Sequence, residues 1–339
     1  MLTDFEYTFI KILTGSDLSM RKMPFMKAVC IKKGPIVWLT GCVHGDEVGG
    51  MVIIQEVFKM IKKIGLLKGK VYAFPLLNPI GFENASRKIT FTEEDLNRSF
   101  PGNPNGSLAE RIAHKIFTTI LNTDPDLVLD LHNDWIKSIP YILMEKNDDE
   151  IDKRVYKKVK KVCMKTGLLK VRETDDVPSN LSTSLIKKDI PSLTLELGES
   201  YVINEKNVEL GVTAIINVLV ALKMLDLKEK PLNYIPGNKF GKKFLHYTGE
   251  PLCSKSGVLR FLVNPGDIVK RNQPLAKIYN AFGKKLDTLT AKNPGIVIGL
   301  TDSSVAFPGT PVIAIAEEKK KIRVSSKKNP VPKLQKNIF

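Results

Sequence analysis

The sequence predicts an α/β fold with a mainly parallel mixed sheet, followed by a C-terminal all-β domain. Up to about residue 230, apolar β-rich runs alternate with segments of helical periodicity. After about residue 240, short alternating strands are separated by Pro-Gly and Asn-Pro-Gly turns. Strands that alternate with helices form a mainly parallel sheet that is covered on both faces. We therefore expect domains at 1–235 and 241–318, and a basic, disordered tail at 319–339.

Apolar runs bounded by turn residues predict the buried strands of the first domain. The first run, PIVWLTGCV, begins at a Gly34-Pro35 pair, and the run KVYAFPLLNP is broken by Pro79. The predicted strands cover residues 35–43, 70–79, 125–134, 141–144 and 191–199.

Helical spacing of apolar residues predicts helices between these strands. The segment MVIIQEVFKMIKKIG has this spacing and ends at Gly65, which is a stop signal. Ser107 and Glu110 have the spacing of a capping box, which marks the start of a helix. The predicted helices cover residues 51–65, 107–121, 150–166 and 208–225.

The second domain has the pattern of a sandwich or small barrel. Its short strands alternate apolar and polar residues and are separated by turns that contain Pro and Gly. The linker that precedes it is expected near KEKPLNYIPGNKFGKK, residues 228–243.

The net charge of +16 raises the question of nucleic-acid binding. Residues 317–339 alone carry eight Lys or Arg against two Glu, and no aromatic-rich basic motif accompanies the remaining lysines. A solvated basic surface therefore explains the charge better than a nucleic-acid site does. A basic field also favours an anionic substrate.

The sequence further favours a cytoplasmic protein without a membrane segment. The longest apolar run, residues 212–222, is too short to span a bilayer and is followed by Lys223. The N-terminus lacks the pattern of a signal peptide. The four cysteines are scattered without a C-x-x-C pair, which is typical of reduced thiols.

The turn TGCVHGDEVGG contains the first candidate site residues. His44 and Glu47 follow the first predicted strand directly, where α/β proteins bind ligands. A histidine and a glutamate are two of the three protein ligands in a His₂Glu zinc site. On its own the motif is also compatible with a polar turn in which Glu47 favours a helix N-terminus.

His132 provides the third potential ligand at the end of a second strand. It closes the run LVLDLHND, and Asp130 projects to the same face two residues earlier. A carboxylate in that position orients zinc-bound histidines in many proteins. The two strand ends together predict a metal site, in which Cys42 is expected to serve packing only.

Glu196 and the loop at residues 78–102 supply further candidates. Glu196 ends the apolar run IPSLTLELGE, where a buried carboxylate needs a partner or a role, such as that of a general base. Glu199 is expected to be a cap or a surface residue. The long polar loop holds three residues that could bind a carboxylate and polarise a carbonyl, and these are Arg87, Asn97 and Arg98.

The motifs HGDE, NP-x-GF…SR…DLNRSFPG, DLHN and IPSLTLELG resemble, in order and spacing, the succinylglutamate desuccinylase/aspartoacylase family. The resemblance covers about residues 35–225. It implies a three-layer α/β/α zinc-carboxypeptidase-like core with a C-terminal barrel-sandwich-like domain. That domain is similar to biotinyl and lipoyl carriers, but no Met-Lys pair lies near YNAFGKK to carry a swinging arm.

The resemblance also implies the roles of the candidate residues. His44, Glu47 and His132 would bind one zinc ion per chain. Glu196 would be the general base and proton shuttle. Asn97 and Arg98 would hold a substrate carboxylate, and Arg87 would stabilise the oxyanion. Tyr279 is the one candidate from the C-terminal domain.

The expected function is that of a zinc amide hydrolase that removes an acyl group from an N-acyl amino acid or a similar small anionic substrate. A metallocarboxypeptidase acting on peptides is the alternative with the same ligands and base. The appended β domain, which would narrow access to the site, favours the deacylase. A non-catalytic binding protein is disfavoured because the ligands and the base are all present. Assembly into a homo-oligomer is compatible with the sequence.

Overall fold

The computed structural model describes residues 3–14, 20–146, 151–174, 179–232, 234–241 and 243–318. Within these ranges the chain forms one large mixed sheet, a four-stranded sheet and seven α-helices. The tail that is predicted to be disordered, residues 319–339, lies outside the described residues. In the described part, no helix combines the length and the apolar character that a membrane crossing requires.

The strands, in chain order, are β1 (Thr3–Thr14), β2 (Met20–Cys30), β3 (Ile36–Gly41), β4 (Lys70–Phe74), β5 (Leu127–Asp134), β6 (Lys137–Ser138), β7 (Tyr141–Met144), β8 (Leu169–Arg172), β9 (Ser192–Glu199), β10 (Leu245–Thr248), β11 (Gly257–Phe261), β12 (Ile268–Val269), β13 (Pro274–Tyr279), β14 (Lys285–Thr290), β15 (Gly295–Leu300), β16 (Val305–Ala306) and β17 (Ile313–Glu317). The helices are α1 (Gly49–Ile64), α2 (Pro79–Glu83), α3 (Leu108–Leu121), α4 (Lys153–Thr166), α5 (Leu181–Ile186), α6 (Glu205–Ala221) and α7 (Ile235–Phe240), with a 3₁₀ turn at Leu96–Arg98.

The core of the large sheet consists of four parallel strands in the order β4-β3-β5-β9. Because these strands are parallel, the carboxyl ends of β3, β5 and β9 meet at one edge of the sheet. The sheet changes direction at β7, which pairs antiparallel with β9, while β8 and β10 follow parallel to β7. The prediction of a mainly parallel mixed sheet is confirmed for this core.

Helices cover both faces of the sheet, as the predicted three-layer arrangement requires. Val37 and Leu39 of β3 pack in the cluster that contains α1, α4 and α6. Trp38 points to the opposite face and packs in the cluster that contains α3 and α5. Apolar residues therefore face both layers, and the sheet core is buried on both sides.

The C-terminal residues are all-β after α7, but they do not form an isolated pair of sheets. Strands β10, β17, β15 and β12 continue the large sheet beyond β8, and β15 also pairs with β6. The remaining strands form the four-stranded sheet in the order β14-β13-β11-β16. An apolar cluster fills the space between these two sets of strands.

The observed elements differ from the predicted ones at several places, and two of these differences adjoin β4. The strand predicted at 70–79 ends at Phe74, because Asn78 caps α2 and Pro79 begins that helix. The N-terminal hairpin of β1 and β2 was not predicted, and it adds two antiparallel strands beside β4. The predicted capping box is confirmed, since Ser107 and Glu110 bond each other's backbone N–H at the start of α3.

Candidate metal centre and cavity

His44, Glu47 and His132 converge at the carboxyl edge of the parallel strands. His44 and Glu47 lie in the loop after β3, and His132 lies near the end of β5. His44 Nδ1 is 2.6 Å from Glu47 Oε1, and His132 Nδ1 is 2.9 Å from Glu47 Oε2. The three side chains are buried, and their potential ligand atoms all lie within 4.8 Å of one another. This is the set of residues that the sequence predicts as metal ligands.

Two aspartates hold the outer nitrogens of the imidazoles. His132 Nε2 is 3.0 Å from Asp130 Oδ2, and His44 Nε2 is 3.2 Å from Asp95 Oδ1. Thr40 donates to the other oxygen of Asp130 at 2.6 Å. Each ring is therefore oriented so that Nδ1 faces Glu47, which is how outer carboxylates commonly orient metal-bound histidines.

Asp130 was predicted from its strand position, whereas Asp95 was missed. Asp95 opens the DLNR segment and accepts from the backbone N–H of Asn97 at 2.8 Å, as the cap of the 3₁₀ turn. The position of Asp95 in the DLNR motif was the feature of the sequence that could have identified it as a site residue. Only the tertiary structure brings this loop against His44.

Two backbone features shape the loop that carries His44 and Glu47. Cys42 has a positive φ of 55° directly after β3, and its thiol donates to the carbonyl of Glu47. A Cβ at Gly45 would lie 2.0 Å from the backbone carbon of Gly81, so only glycine fits where the loop crosses α2. Cys42 is fully buried and lies outside the set of potential ligands, as expected, but it follows β3 rather than forming part of it. The glycine is required for close approach rather than for a positive φ.

Charges within the cluster shift the pKa values of Glu47 and His132. Burial opposes ionisation of Glu47, but the His44 and His132 imidazoles outweigh it and hold the pKa of this carboxyl below its ordinary value. Burial also opposes the charged form of His132, but the Asp130 and Glu47 carboxylates raise the pKa of this imidazole well above its usual range. A buried carboxylate between two imidazoles is a chemically suitable donor set for a divalent cation such as zinc.

Arg87 lies at the rim of the cluster. Its Nε donates to Asp95 Oδ2 at 3.1 Å, and its Nη1 is 3.5 Å from Glu47 Oε1 and 3.3 Å from His44 Nδ1. Burial opposes the charge of Arg87, but the carboxylates of Asp95 and Glu47 raise the pKa of its guanidinium. The structure therefore brings Arg87 together with the potential metal ligands.

Asn97 and Arg98 line the same cavity from the 3₁₀ turn. The side-chain oxygen of Asn97 accepts from the backbone N–H of Leu181 at 2.9 Å. Its Nδ2 is then the atom left to donate to a ligand. Arg98 donates to the carbonyl of Asn97 at 2.9 Å, and among the described residues it forms no ion pair within 4 Å.

Glu196 faces the cavity from β9, where it is the cross-strand neighbour of His132. Burial raises the pKa of Glu196 to about 8 against the opposing effect of His132, and Asp134 adds to the increase. Glu199 points elsewhere and accepts from Asn204 and Asn207 at the start of α6. The structure thus separates the two glutamates as the sequence predicts.

The cavity measures about 160 Å³ and extends from the cluster across one face of the sheet. Its far end contains residues that the sequence did not predict, and these are Leu143, Glu145, Glu173, Asn180 and Thr194. Glu145 follows β7 and Glu173 follows β8, and neither lies in a recognisable motif. Their presence in the cavity depends on the register of β7, β8 and β9.

No residue of the described part of 241–318 lines the cavity. Tyr279 lies in the four-stranded sheet, where it contacts the Arg260 guanidinium, so the structure does not bring it to the site. The C-terminal strands instead support the wall from behind, because Gly299 of β15 packs against Trp135 and Asp134. The other histidines are also remote from the cluster, with His114 on α3 and His246 on β10.

The family model of the succinylglutamate desuccinylase/aspartoacylase catalytic domain matches residues 33–222, and the chain therefore belongs to this family. An N-alpha-acetyl-L-2,4-diaminobutyric acid deacetylase from Halomonas elongata is 31% identical over 153 residues. The match covers 44% of this chain and 44% of that protein, so the chain spans less than half the length of this curated relative.

Solved structures share the fold over nearly the whole chain. A succinylglutamate desuccinylase/aspartoacylase from Rhodobacter sphaeroides has a TM-score of 0.80 at 20% identity, covering 93% of this chain and 96% of that one. The product-bound ectoine utilization protein EutE (DoeB) from Ruegeria pomeroyi also has a TM-score of 0.80 at 20% identity, covering 93% and 95%. At this identity the likeness establishes the fold alone, and it includes the C-terminal strands.

Proposed function

We propose that this protein is a zinc-dependent amide hydrolase that removes an acyl group from an N-acyl amino acid or a related small substrate with a carboxylate. The observation that carries the proposal is the convergence of His44, Glu47 and His132, with Glu196 facing the same cavity. Family membership and the Halomonas elongata deacetylase support the same reaction class.

The residues fit a zinc ion by their chemistry. Two histidines and one glutamate are the ligand set of several catalytic zinc sites, and here the outer nitrogens of both histidines contact aspartates. A zinc ion held there would lower the pKa of a coordinated water towards ~7 and polarise the carbonyl of the substrate.

Side chains of the protein supply proton transfer, charge stabilisation and substrate binding. Glu196 takes the proton of the attacking water and returns it to the leaving amine, for which a pKa near neutrality is suitable. Arg87, at the rim of the cluster, stabilises the negative charge that develops on the carbonyl oxygen. Arg98 and the Nδ2 of Asn97 bind the substrate carboxylate and fix its orientation.

Zinc analysis of His132→Ala tests the metal site. The purified wild-type protein should contain about one zinc ion per chain, whereas the variant should lose most of it because one of three protein ligands is gone. His114→Ala, on α3 and outside the cluster, is the matched control and should retain zinc. Stoichiometric zinc in His132→Ala would refute the assigned site.

Glu196→Gln tests the proposed base separately. The variant keeps the side-chain shape and the three ligands, so it should bind zinc normally. Its kcat on N-acyl amino acids should fall by about 10²- to 10⁴-fold, since it can no longer transfer the proton. Normal turnover by the zinc-loaded variant would show that another group acts as the base.

A substrate panel tests the reaction class. N-acetyl, N-succinyl and N-aspartyl amino acids should be hydrolysed, and dipeptides with a free C-terminus should be poor substrates. The reverse preference would instead assign the same ligands and base to a metallocarboxypeptidase. The C-terminal strands do not line the cavity, so only this assay separates the two activities.

A further inference from the structure

The N-terminal hairpin leaves one edge of the large sheet open. Strand β1 is the terminal strand of this sheet, with β2 on one side and no strand on the other among the residues that the structure describes. It is twelve residues long, whereas β12, at the opposite end of the sheet, has two. A terminal strand presents a row of backbone N–H and C=O groups with which another chain can pair.

The backbone of β1 has none of the features that commonly block pairing at a sheet edge. Its sequence contains no proline and no glycine. Its register with β2 is unbroken over the nine residues from Thr3 to Lys11, and the first register shift follows Lys11. Natural proteins usually protect a long edge with prolines, bulges or very short strands. Residues 3–11 therefore form a regular edge to which a further strand can be added.

Aromatic side chains of β1 lie exposed beside this edge. Phe5, Tyr7 and Phe9 share one face of the strand, because side chains alternate between the two faces. Tyr7 is 54% exposed although its ring contacts Phe58 of α1, and Phe9 is 60% exposed with the Lys22 ammonium over its ring. The helix layer thus covers this face only in part, and a strand added at the edge would cover more of both rings.

The sequence of β1 is complementary to a second copy of itself. Two identical antiparallel strands that are related by a twofold axis place residues of the same face opposite each other, with one residue on the axis. With the axis at Tyr7, this residue is opposite its own copy, and Phe5 is opposite Phe9 of the second copy. Aromatic residues directly opposite each other stabilise a sheet. An axis at Thr8 would keep the Tyr7–Phe9 pairs only.

The acidic residues of β1 favour the same register. With the axis at Tyr7, Asp4 is opposite Ile10 and Glu6 is opposite Thr8, so no like charges meet. An axis at Glu6 would place this carboxylate opposite its own copy, and an axis one residue earlier would place it opposite Asp4. Like charges directly opposite each other are destabilising. Charge therefore disfavours the neighbouring registers on the amino-terminal side.

We propose that two copies of this chain form a dimer through antiparallel pairing of their β1 strands about a twofold axis at Tyr7. The two large sheets then form one continuous sheet, in which main-chain hydrogen bonds supply affinity and the aromatic pairs fix the register. None of the described residues of β1 and β2 lines the catalytic cavity, so this interface is separate from the proposed deacylase function.

Light scattering coupled to size-exclusion chromatography tests for the dimer. The full-length wild-type protein should have twice the 37.9 kDa mass of one chain. Tyr7→Lys and Tyr7→Glu should each be monomeric, because each places like charges opposite each other at the axis. The control variants Phe307→Lys and Phe307→Glu change a ring that is 56% exposed near the C-terminal strands and should remain dimeric. A monomeric wild type, or Tyr7 variants that remain dimeric, would overturn the proposal.

A mixture of the two Tyr7 variants tests the register. Opposite charges then meet at the axis, so the mixture should form a heterodimer although each variant alone is monomeric. Affinity-tagged Tyr7→Lys should retain untagged Tyr7→Glu on a column, and it should not retain an untagged copy of itself. Absence of a heterodimer, when both variants have wild-type circular dichroism, would refute the twofold register.

Hydrogen exchange of the wild-type protein tests the same edge without a substitution. In an open edge strand, alternate amides point away from β2 and exchange rapidly with solvent, whereas a paired strand protects the amides of both sets. Exchange resolved by residue should therefore show protection throughout residues 4–10, as in the interior strand β3. Rapid exchange at every second residue of β1 would show that the edge is open and would overturn the dimer.

Discussion

Glu47 shows how one residue organises the site. Its two oxygens face the Nδ1 atoms of His44 and His132, and the backbone N–H of Asn133 donates to Oε2 at 3.1 Å. An ionised Glu47 thus brings together a loop and a strand that lie 85 residues apart in the chain. The neighbouring aspartates complete this arrangement by holding both rings from outside.

Replacing Asp130 should weaken metal binding without removing a ligand. In Asp130→Ala the outer nitrogen of His132 loses its partner, and we expect zinc affinity to fall by about 10- to 100-fold. Competition with a chromophoric chelator measures the affinity. Asp226→Ala, at an exposed position after α6, is the control, and an affinity equal to the wild type in Asp130→Ala would contradict the orienting role.

Glu145 should make stability depend on pH. Its pKa is about 7 in the folded protein against an ordinary value of 4.5, so the folded state holds the proton more tightly than the unfolded state. The stabilisation is fully present below pH ~4.5 and is lost as the pH rises through ~7, and it amounts to about 3 kcal/mol. Urea unfolding of Glu145→Gln should show a smaller loss of stability from pH 5 to pH 8.

The same measurement on Glu209→Gln serves as the control for this pH effect, since that exposed glutamate lies outside the cavity. Wild type and Glu145→Gln with identical pH slopes of unfolding free energy would show that Glu145 has no raised pKa in the folded protein.

At the residue scale, the sequence predicted those side chains whose position follows from one strand. His44, His132, Asp130 and Glu196 lie at or next to strand ends, where ligand sites of α/β proteins occur. Asp95, Glu145 and Glu173 were missed, because a loop crossing and the register of three strands bring them to the cavity. Neither feature is encoded in local periodicity.

The crossing of the His44 loop over α2 is the most constrained contact between elements near the site. Gly45→Ala would place a methyl group 2.0 Å from the backbone of Gly81, and backbone cannot move as a flexible side chain does. We expect a loss of about 3 kcal/mol or more in the free energy of unfolding. Chemical denaturation and zinc content measure the two consequences together.

Gly283→Ala is the matched control for this substitution. Gly283 has no neighbour within 4 Å of an added Cβ, so alanine there meets only the strain of a φ of +79°. Its effect should be about 1 kcal/mol. An equal effect at Gly45 would contradict the steric role of the crossing.

At the element scale, five interior strands were predicted, namely β3, β4, β5, β7 and β9, whereas β8 and the N-terminal hairpin were not. Strand β7 was predicted at its observed limits, 141–144, and β5 and β9 were predicted with excess residues at the amino end only. The hairpin was missed because Pro24 lies within β2 and because buried and partly exposed residues alternate regularly only in the second half of this strand. Pairing with β1 and β4, rather than a pattern in its own sequence, defines β2 as a strand.

At the scale of the whole molecule, one sheet continues from the first domain into the C-terminal strands. Strand β10 pairs with β8, and residues of β15 and β17 belong to the same apolar cluster as the first domain. The short apolar runs separated by Pro and Gly turns predicted the change to all-β structure, but they could not show that these strands extend the first sheet. Backbone pairing between distant segments leaves no local pattern.

Deleting residues 241–318 should therefore destabilise the rest of the chain. The deletion would leave β8 with an unpaired edge and uncover apolar residues, and both promote aggregation. Size-exclusion chromatography should show aggregated protein without a cooperative unfolding transition. Deleting only residues 319–339 is the control, since it removes none of the described strands. A monodisperse, cooperatively folding protein without residues 241–318 would contradict the prediction.

The pairing of β6 with β15 also sets an order of events during synthesis. The backbone N–H of Ile136 donates to Asp302, which lies 166 residues later, and β15 packs behind Asp134 in the cavity wall. A ribosome delivers the three candidate metal ligands by residue 132, when more than half of the chain is still untranslated. The growing polypeptide can therefore assemble the cluster early, but it completes the wall beside that cluster only after β15 has emerged.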